Sequence, residues 1–200
     1  MAALDDLKNR IATELKRSDL TDSIAAAVTS AIKLYKFRRF AFNETSDTLA
    51  TVDGTREYTT STGLPDDIIE IDSATVAISA TRSYDLIPAP FPTLNQWSGA
   101  NLTTGYPTHY AWQGENLFLY PTPNAAYTIT LKYHADVAEE TWAQRAEAMI
   151  RLAAKRDLYL NLLEDDANAA RASSGERTEF AALISEMYRK QSLGQLTAHD

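Results

Sequence analysis

The sequence predicts an α+β fold: a bundle of N- and C-terminal helices carrying an inserted antiparallel β-sandwich or small barrel. Apolar residues recur every three or four positions at both ends of the chain, and the period shortens to two between Thr45 and Tyr133. Glycine and proline cluster in that middle stretch, while positions 124–174 contain neither. The expected organisation is N-terminal bundle helices over 1–42, an antiparallel β-domain over 43–137, C-terminal bundle helices over 138–191 and a flexible tail over 192–200.

Leu4, Leu7, Ile11 and Leu15 form one stripe of a first helix, which Ser18 and Asp19 break. A second helix is expected from Thr21 or Asp22 to about Arg39, with Ile24, Val28, Ile32 and Tyr35 facing inward and a basic end that suits the helix dipole. About six or seven short strands follow, with Asp53-Gly54 the sharpest hairpin signal and Gly63-Leu64-Pro65, Ala89-Pro90 and Gly105-Tyr106-Pro107 as further turns. Phe91 to Ser98 is expected to form a short helix with Pro92 in its first turn and Leu94 and Trp97 inward. The run from Tyr106 to Tyr133 reads as a three-stranded meander with Tyr127, Ile129, Leu131 and Tyr133 on one greasy face.

From Glu139 or Glu140 one long helix should place Met149, Leu152, Ala153, Leu160 and Leu163 at helical spacing, ending in a turn at Glu164-Asp165-Asp166. A last helix over Ala167 to Gln191 would bury Phe180, Leu183, Ile184 and Met187, with Ser173-Ser174-Gly175 as an expected interruption. Ser192 to Asp200 has too little apolar content to order itself.

At 44% hydrophobic and 23% charged residues the composition is that of a globular protein. The absence of cysteine excludes disulfides, thiolate metal sites and cysteine nucleophiles. Acidic residues replace an apolar signal core at the N-terminus, and no stretch approaches the ~20 apolar residues of a membrane span, so neither a signal peptide nor membrane insertion is expected. There is no phosphate loop, dinucleotide fingerprint, nucleophile elbow or zinc-protease helix. His109 and His134 sit in or beside strands without metal-ligand spacing, and no metal or cofactor is expected. Glu70 and Asp72 alternate with Ile69 and Ile71 and, like Asp66-Asp67, read as a solvated polar face; no catalytic residues are expected.

Charge is unevenly placed. Net charge is −8, and between Asn43 and Asp72 eight acids stand against Arg56 alone. Lys33, Lys36, Arg38 and Arg39, interleaved with Tyr35, Phe37, Phe40 and Phe42, make a basic aromatic run. It reads in three ways: a snorkelling helix end, a subunit contact with acids such as Glu44, Asp66 and Asp67 of a neighbouring copy, or a single-strand nucleic-acid platform. The row Arg145, Glu147, Arg151, Lys155, Arg156 and Asp157 reads as a solvated helix face.

An ordered series of phrases carries a family resemblance. Arg38-Arg39-Phe40-Ala41-Phe42-Asn43-Glu44 is followed by Val52-Asp53-Gly54-Thr55-Arg56-Glu57-Tyr58 and by Leu64-Pro65-Asp66-Asp67-Ile68-Ile69-Glu70-Ile71-Asp72-Ser73. Pro107-Thr108-His109-Tyr110 and Leu119-Tyr120-Pro121-Thr122-Pro123 complete it. Over roughly residues 20 to 190 the chain resembles the head-to-tail adaptor proteins of tailed bacteriophages, also called head-completion or tail accessory proteins. The resemblance implies a structural protein without turnover, made in the host bacterial cytoplasm and placed in the virion at the head-tail junction. It implies a ring, commonly dodecameric, beneath the portal protein ring, which extends the DNA channel, helps retain the genome and docks tail or nozzle proteins. A channel of acidic subunits would let DNA pass without specific binding, while the acidic stretch by itself reads equally well as the solvated face of a small β-domain. A tail at Ser192, Leu193 and Leu196 that folds against the portal would make assembly sequential. The rival reading is a carbohydrate-binding β-module with helical flanks, motivated by Trp97, Tyr106, Tyr110, Trp112 and Tyr120; a hydrolase assisting cell entry is a third.

Overall fold

The computed structural model describes residues 2–99 and 103–196, the last five as backbone only. The chain opens with α1 (Ala2–Leu15) and α2 (Thr21–Tyr35), then β1 (Glu44–Ala50), β2 (Glu57–Tyr58), β3 (Ile68–Ser79), β4 (Arg82–Asp85) and β5 (Ile87–Pro88). After α3 (Phe91–Trp97) come β6 (Thr104–Gly105), β7 (His109–Gln113), β8 (Asn116–Tyr120), β9 (Thr122–Pro123) and β10 (Thr128–Ala135). Helices α4 (Glu139–Arg145), α5 (Glu147–Asn161) and α6 (Asp166–Leu196) close it. The result is an α+β fold in two units: helices from Met1–Phe42 with Val137–Asp200, and strands from Asn43–Asp136.

The helical unit is built on the expected stripes. Leu7 and Ile11 of α1, Ile24, Val28 and Ile32 of α2, and Met149, Ile150 and Leu158 of α5 share one core with Phe40 and Trp142. Glu140 in α4 accepts from the Ala3 and Leu4 amides at 2.9 and 3.2 Å, so a side chain from the far end of the sequence satisfies two of the unpaired donors that open α1. Arg151 and Lys155, expected on a solvated face, instead pair with Glu14 of α1 at 2.7 and 2.9 Å and are largely covered. Arg151 also reaches Glu147, one turn earlier, at 3.0 Å.

Four helix expectations change. α2 stops at Tyr35 rather than near Arg39, because the chain must turn to carry Phe40 into the core. The helix expected to run unbroken from 139 is two: buried Ala146, at φ −130° and ψ 26°, separates α4 from α5 with no glycine or proline to mark the place. Leu160 is exposed, and Leu158 takes the core position. Ser173-Ser174-Gly175 does not interrupt α6, which runs straight through it and on to Leu196, five residues into the segment expected to be unstructured. Positions 197–200 lie outside the described residues.

Gly175 has a packing reason. A Cβ added there would stand 3.0 Å from Leu152 Cδ1 on α5, so its lack of a side chain lets the two helices approach. Gly175→Leu is accordingly expected to cost about 2 kcal/mol through overpacking. Gly175→Ala should change little, because a helix-propensity gain of about 1 kcal/mol opposes the clash. Urea denaturation of both variants checks this, and equal stability for the leucine variant would refute the close-approach role.

The strands form two four-stranded sheets, in the orders β1-β10-β3-β4 and β2-β8-β7-β5, and a β6-β9 pair; among the described residues no barrel closes. Ten strands stand among the described residues where six or seven were expected, because two-residue strands are too short to show a period. Most pairs are antiparallel, but β5-β7 and β6-β9 are parallel. Ile129, Leu131 and Tyr133 are buried on one face of β10 as expected.

Two pairings differ. β7 and β8 form the expected hairpin, but the ladder ends at Pro121, the short β9 that follows pairs with β6, and β10 lies in the other sheet between β1 and β3. The meander is therefore split. Asp53-Gly54 does turn the chain, with Gly54 at φ 75° and the Tyr58 hydroxyl bonded to Val52 N and Thr55 O at 3.0 and 2.9 Å, yet β1 and β2 flanking it belong to different sheets. Leu94 of α3 is buried as expected; Trp97 is 42% exposed, against expectation. The insertion begins and ends side by side, with Ala135 N donating to Asn43 O at 2.8 Å and Glu44 opposite His134.

Candidate functional site

The basic run occupies the end of α2 and the turn that follows. Lys36 N still bonds Ile32 O and Arg38 N bonds Tyr35 O, both at 2.8 Å, which winds the chain tightly until Phe40 plunges into the core. Phe40 meets Trp142 and Phe180 edge-on at 5.6 and 5.9 Å and stacks on Phe42 at 5.3 Å. That anchor leaves Lys33 and Arg38 outside, with Lys36 and Arg39 half-buried. Leu34 and Phe37 are left outside too, Phe37 70% exposed with Lys36 Nζ 6.0 Å from its ring.

Beside this turn, α2, α5 and α6 enclose a cleft of about 330 Å³ lined by Tyr35, Arg38, Arg156, Ser173, Glu176, Arg177 and Phe180. Its floor is Glu176, only 2% exposed, which accepts from the Tyr35 hydroxyl through Oε1 and from Arg156 Nη1 through Oε2. The Tyr35 ring stacks on Phe180 at 5.7 Å. Burying a carboxylate is costly unless it is hydrogen-bonded, and here the partners come from two other helices. Three guanidiniums and one carboxylate thus meet in one small cleft.

Burial, the hydrogen bond to Glu176 and that residue's charge push the Tyr35 hydroxyl up to about 12 from its ordinary 10. A tyrosine with a raised folded pKa contributes stability that is complete below its unfolded value and is lost as the pH rises through the folded one. Tyr35→Phe is therefore expected to flatten the fall in stability between about pH 10 and 12, read as urea midpoints at stepped pH. Tyr58, Tyr110 and Tyr133 are also raised, so a residual slope remains. An unchanged slope would refute the Tyr35–Glu176 link.

The acids gather in the β-unit. Glu44 opens β1, and Asp66 and Asp67 lie just before β3, whose first residue Ile68 pairs with Ala135 next to the His134 that faces Glu44. These three acids share one end of a sheet. Asp67 accepts from the Tyr133 hydroxyl at 3.0 Å, a structural bond, while Asp66, Glu70 and Asp72 are exposed.

The family model for the SU10 adaptor protein matches residues 2–198. The chain belongs to this family of phage head-to-tail adaptors. A search of the curated proteins finds no match.

The other site candidates of this adaptor are dispersed. His109 and His134 stand in different sheets, on β7 and β10, and among the described residues no group of three or more histidines and acids could hold a metal ion. Of the five aromatics that motivated a carbohydrate site, Tyr110 is buried, the exposed Trp97 meets Tyr120 at a 48° tilt, and the exposed Tyr106 stacks at 18° on the exposed Tyr84. No described helix of the adaptor is long and apolar enough to cross a membrane. Sequence reasoning missed the Glu176 cluster, although a signal was present: Ala169, Ala172, Glu176, Phe180, Leu183 and Met187 fall at helical spacing, which puts a carboxylate on an apolar stripe.

Proposed function

We propose that this protein is the ring subunit of a phage head-tail junction, seated beneath the portal, extending the DNA channel, helping to retain the genome and docking tail or nozzle proteins. The family match over residues 2–198 carries this reading. Charge placement supports it: the basic run lies in the helical unit, the acidic excess in the β-unit, and a contact between unlike patches on successive copies closes into a ring when its rotation permits. In that ring Lys33, Lys36, Arg38 and Arg39 of one copy face Glu44, Asp66 and Asp67 of the next, and assembly draws its free energy from buried subunit surface. A net charge of −8 keeps the passing duplex from adhering.

Native mass spectrometry of the chain alone and mixed with the portal ring from the same genome tests the proposal. A monomer alone and a fixed multiple on the portal, dodecameric in the family's common form, is the expected result; absence of binding would sink it. The Lys33→Glu, Lys36→Glu double variant is expected to weaken ring formation about tenfold or more, with the loss growing at low salt. Normal rings from that variant would refute the basic-patch contact.

A further inference from the structure

The cleft between α2, α5 and α6 has the chemistry of an anion receptor that is already ordered. Glu176 spends both carboxylate oxygens internally, one on the Tyr35 hydroxyl and one on Arg156. Arg156 is thereby held in place with the rest of its planar fork beside Arg38 and Arg177, which line the same space. A guanidinium fixed by one carboxylate loses little further freedom on meeting a second, so the ordering cost of a new contact is low. At about 330 Å³ the cleft has room for one carboxylate-bearing side chain and is far too narrow for a nucleic-acid duplex.

The exposed surroundings have the make-up of an interface centre. Leu34 and Phe37, at 55% and 70% exposure, stand in the same turn of chain as Tyr35 and Arg38. Aromatic side chains and arginines are what subunit interfaces concentrate at their centres. The complementary surface is on the chain itself: Asp47, Asp53, Asp66 and Glu70 are all exposed in the acidic stretch of the β-unit.

We propose that this cleft receives a carboxylate side chain from the acidic β-unit of a second copy of the chain, which docks into the fork of Arg156 and Arg177 above the buried Glu176. This assignment rests on the ring assembly proposed above. It differs from a general attraction between patches in naming a socket, in placing α6 at the subunit contact, and in giving Glu176 the part of a fixed counter-ion that presets the receiving guanidinium.

Arg177 is the residue to test, because it is exposed and stands outside the core of the helical unit. Arg177→Glu is expected to leave the circular dichroism spectrum and urea midpoint unchanged and to lower ring formation on the portal about tenfold or more, with Arg177→Gln between it and the parent. A photo-crosslinking amino acid at position 177 should, on the portal, join to peptides from residues 43–72 of another copy. Wild-type rings together with undiminished Arg177→Glu rings, or crosslinks from position 177 to the portal in place of a second copy, would overturn the socket while leaving the ring intact. Failure of the parent chain to form any ring would instead remove the assembly reading and the socket with it.

Discussion

Phe40→Ala is expected to destabilise the helical unit by about 4 kcal/mol, the cost of removing a fully buried aromatic ring and leaving its cavity. Phe40 has no exposed surface and is held on three sides, edge-on to Trp142 and Phe180 and parallel to Phe42 at 7° between planes. Neighbouring rings cannot collapse into the space without giving up the T-shaped contact of Phe42 with Trp142 at 5.0 Å. The same ring ties down the turn after α2, so the variant should also lose order at Lys36–Arg39 and form rings poorly under conditions where it is still folded. Urea denaturation and hydrogen exchange of the Lys36–Arg39 amides measure the two effects. A loss below about 1 kcal/mol, or protected amides in the variant, would contradict the anchoring role.

Glu176→Leu is expected to cost about 3 kcal/mol, near the lower edge for a broken buried pair because Arg156 keeps 29% of its side chain in solvent. The substitution strands the Arg156 guanidinium and the Tyr35 hydroxyl beside a new apolar surface. Adding Arg156→Leu should restore most of the loss, since an apolar pair of similar volume replaces an ion pair with little change in free energy. The two single variants and the double form a thermodynamic cycle, and a coupling of less than about 0.5 kcal/mol would mean that the carboxylate and the guanidinium do not depend on each other. The pair of variants also separates fold from assembly: the double variant, stable again, should remain poor at ring formation because its socket lacks the receiving fork.

Helical stripes could be read directly from the chain because they are local: Leu7 and Ile11, or Ile24, Val28 and Ile32, announce their buried side within one or two turns. Strand alternation was equally local, and Ile129, Leu131 and Tyr133 fell on the buried face as expected. Partners were not, because alternation says which face is apolar and nothing about which distant strand lies alongside; β10 joins β1 and β3 rather than β8 of the expected meander. Gly175 was misjudged because a propensity scale counts its cost in an isolated helix and cannot see Leu152 on the facing one. At the site, the basic run was visible as sequence neighbours, whereas Tyr35, Arg156 and Glu176 come from three separate helices and become one cluster only through packing.

The two ends of the Asn43–Asp136 insertion are hydrogen-bonded neighbours, Ala135 N to Asn43 O, and this shapes how the chain reaches its fold. Bringing Phe42 and Val137 together across an unstructured loop of that length would cost on the order of 4 kcal/mol of chain entropy. Once the strands have paired, that distance is already closed, and α4 to α6 meet α1 and α2 as though joined by a short turn. The β-unit therefore acts as a clasp for the helices, and a defect in β1 or β10 is expected to weaken a helical core that neither strand belongs to.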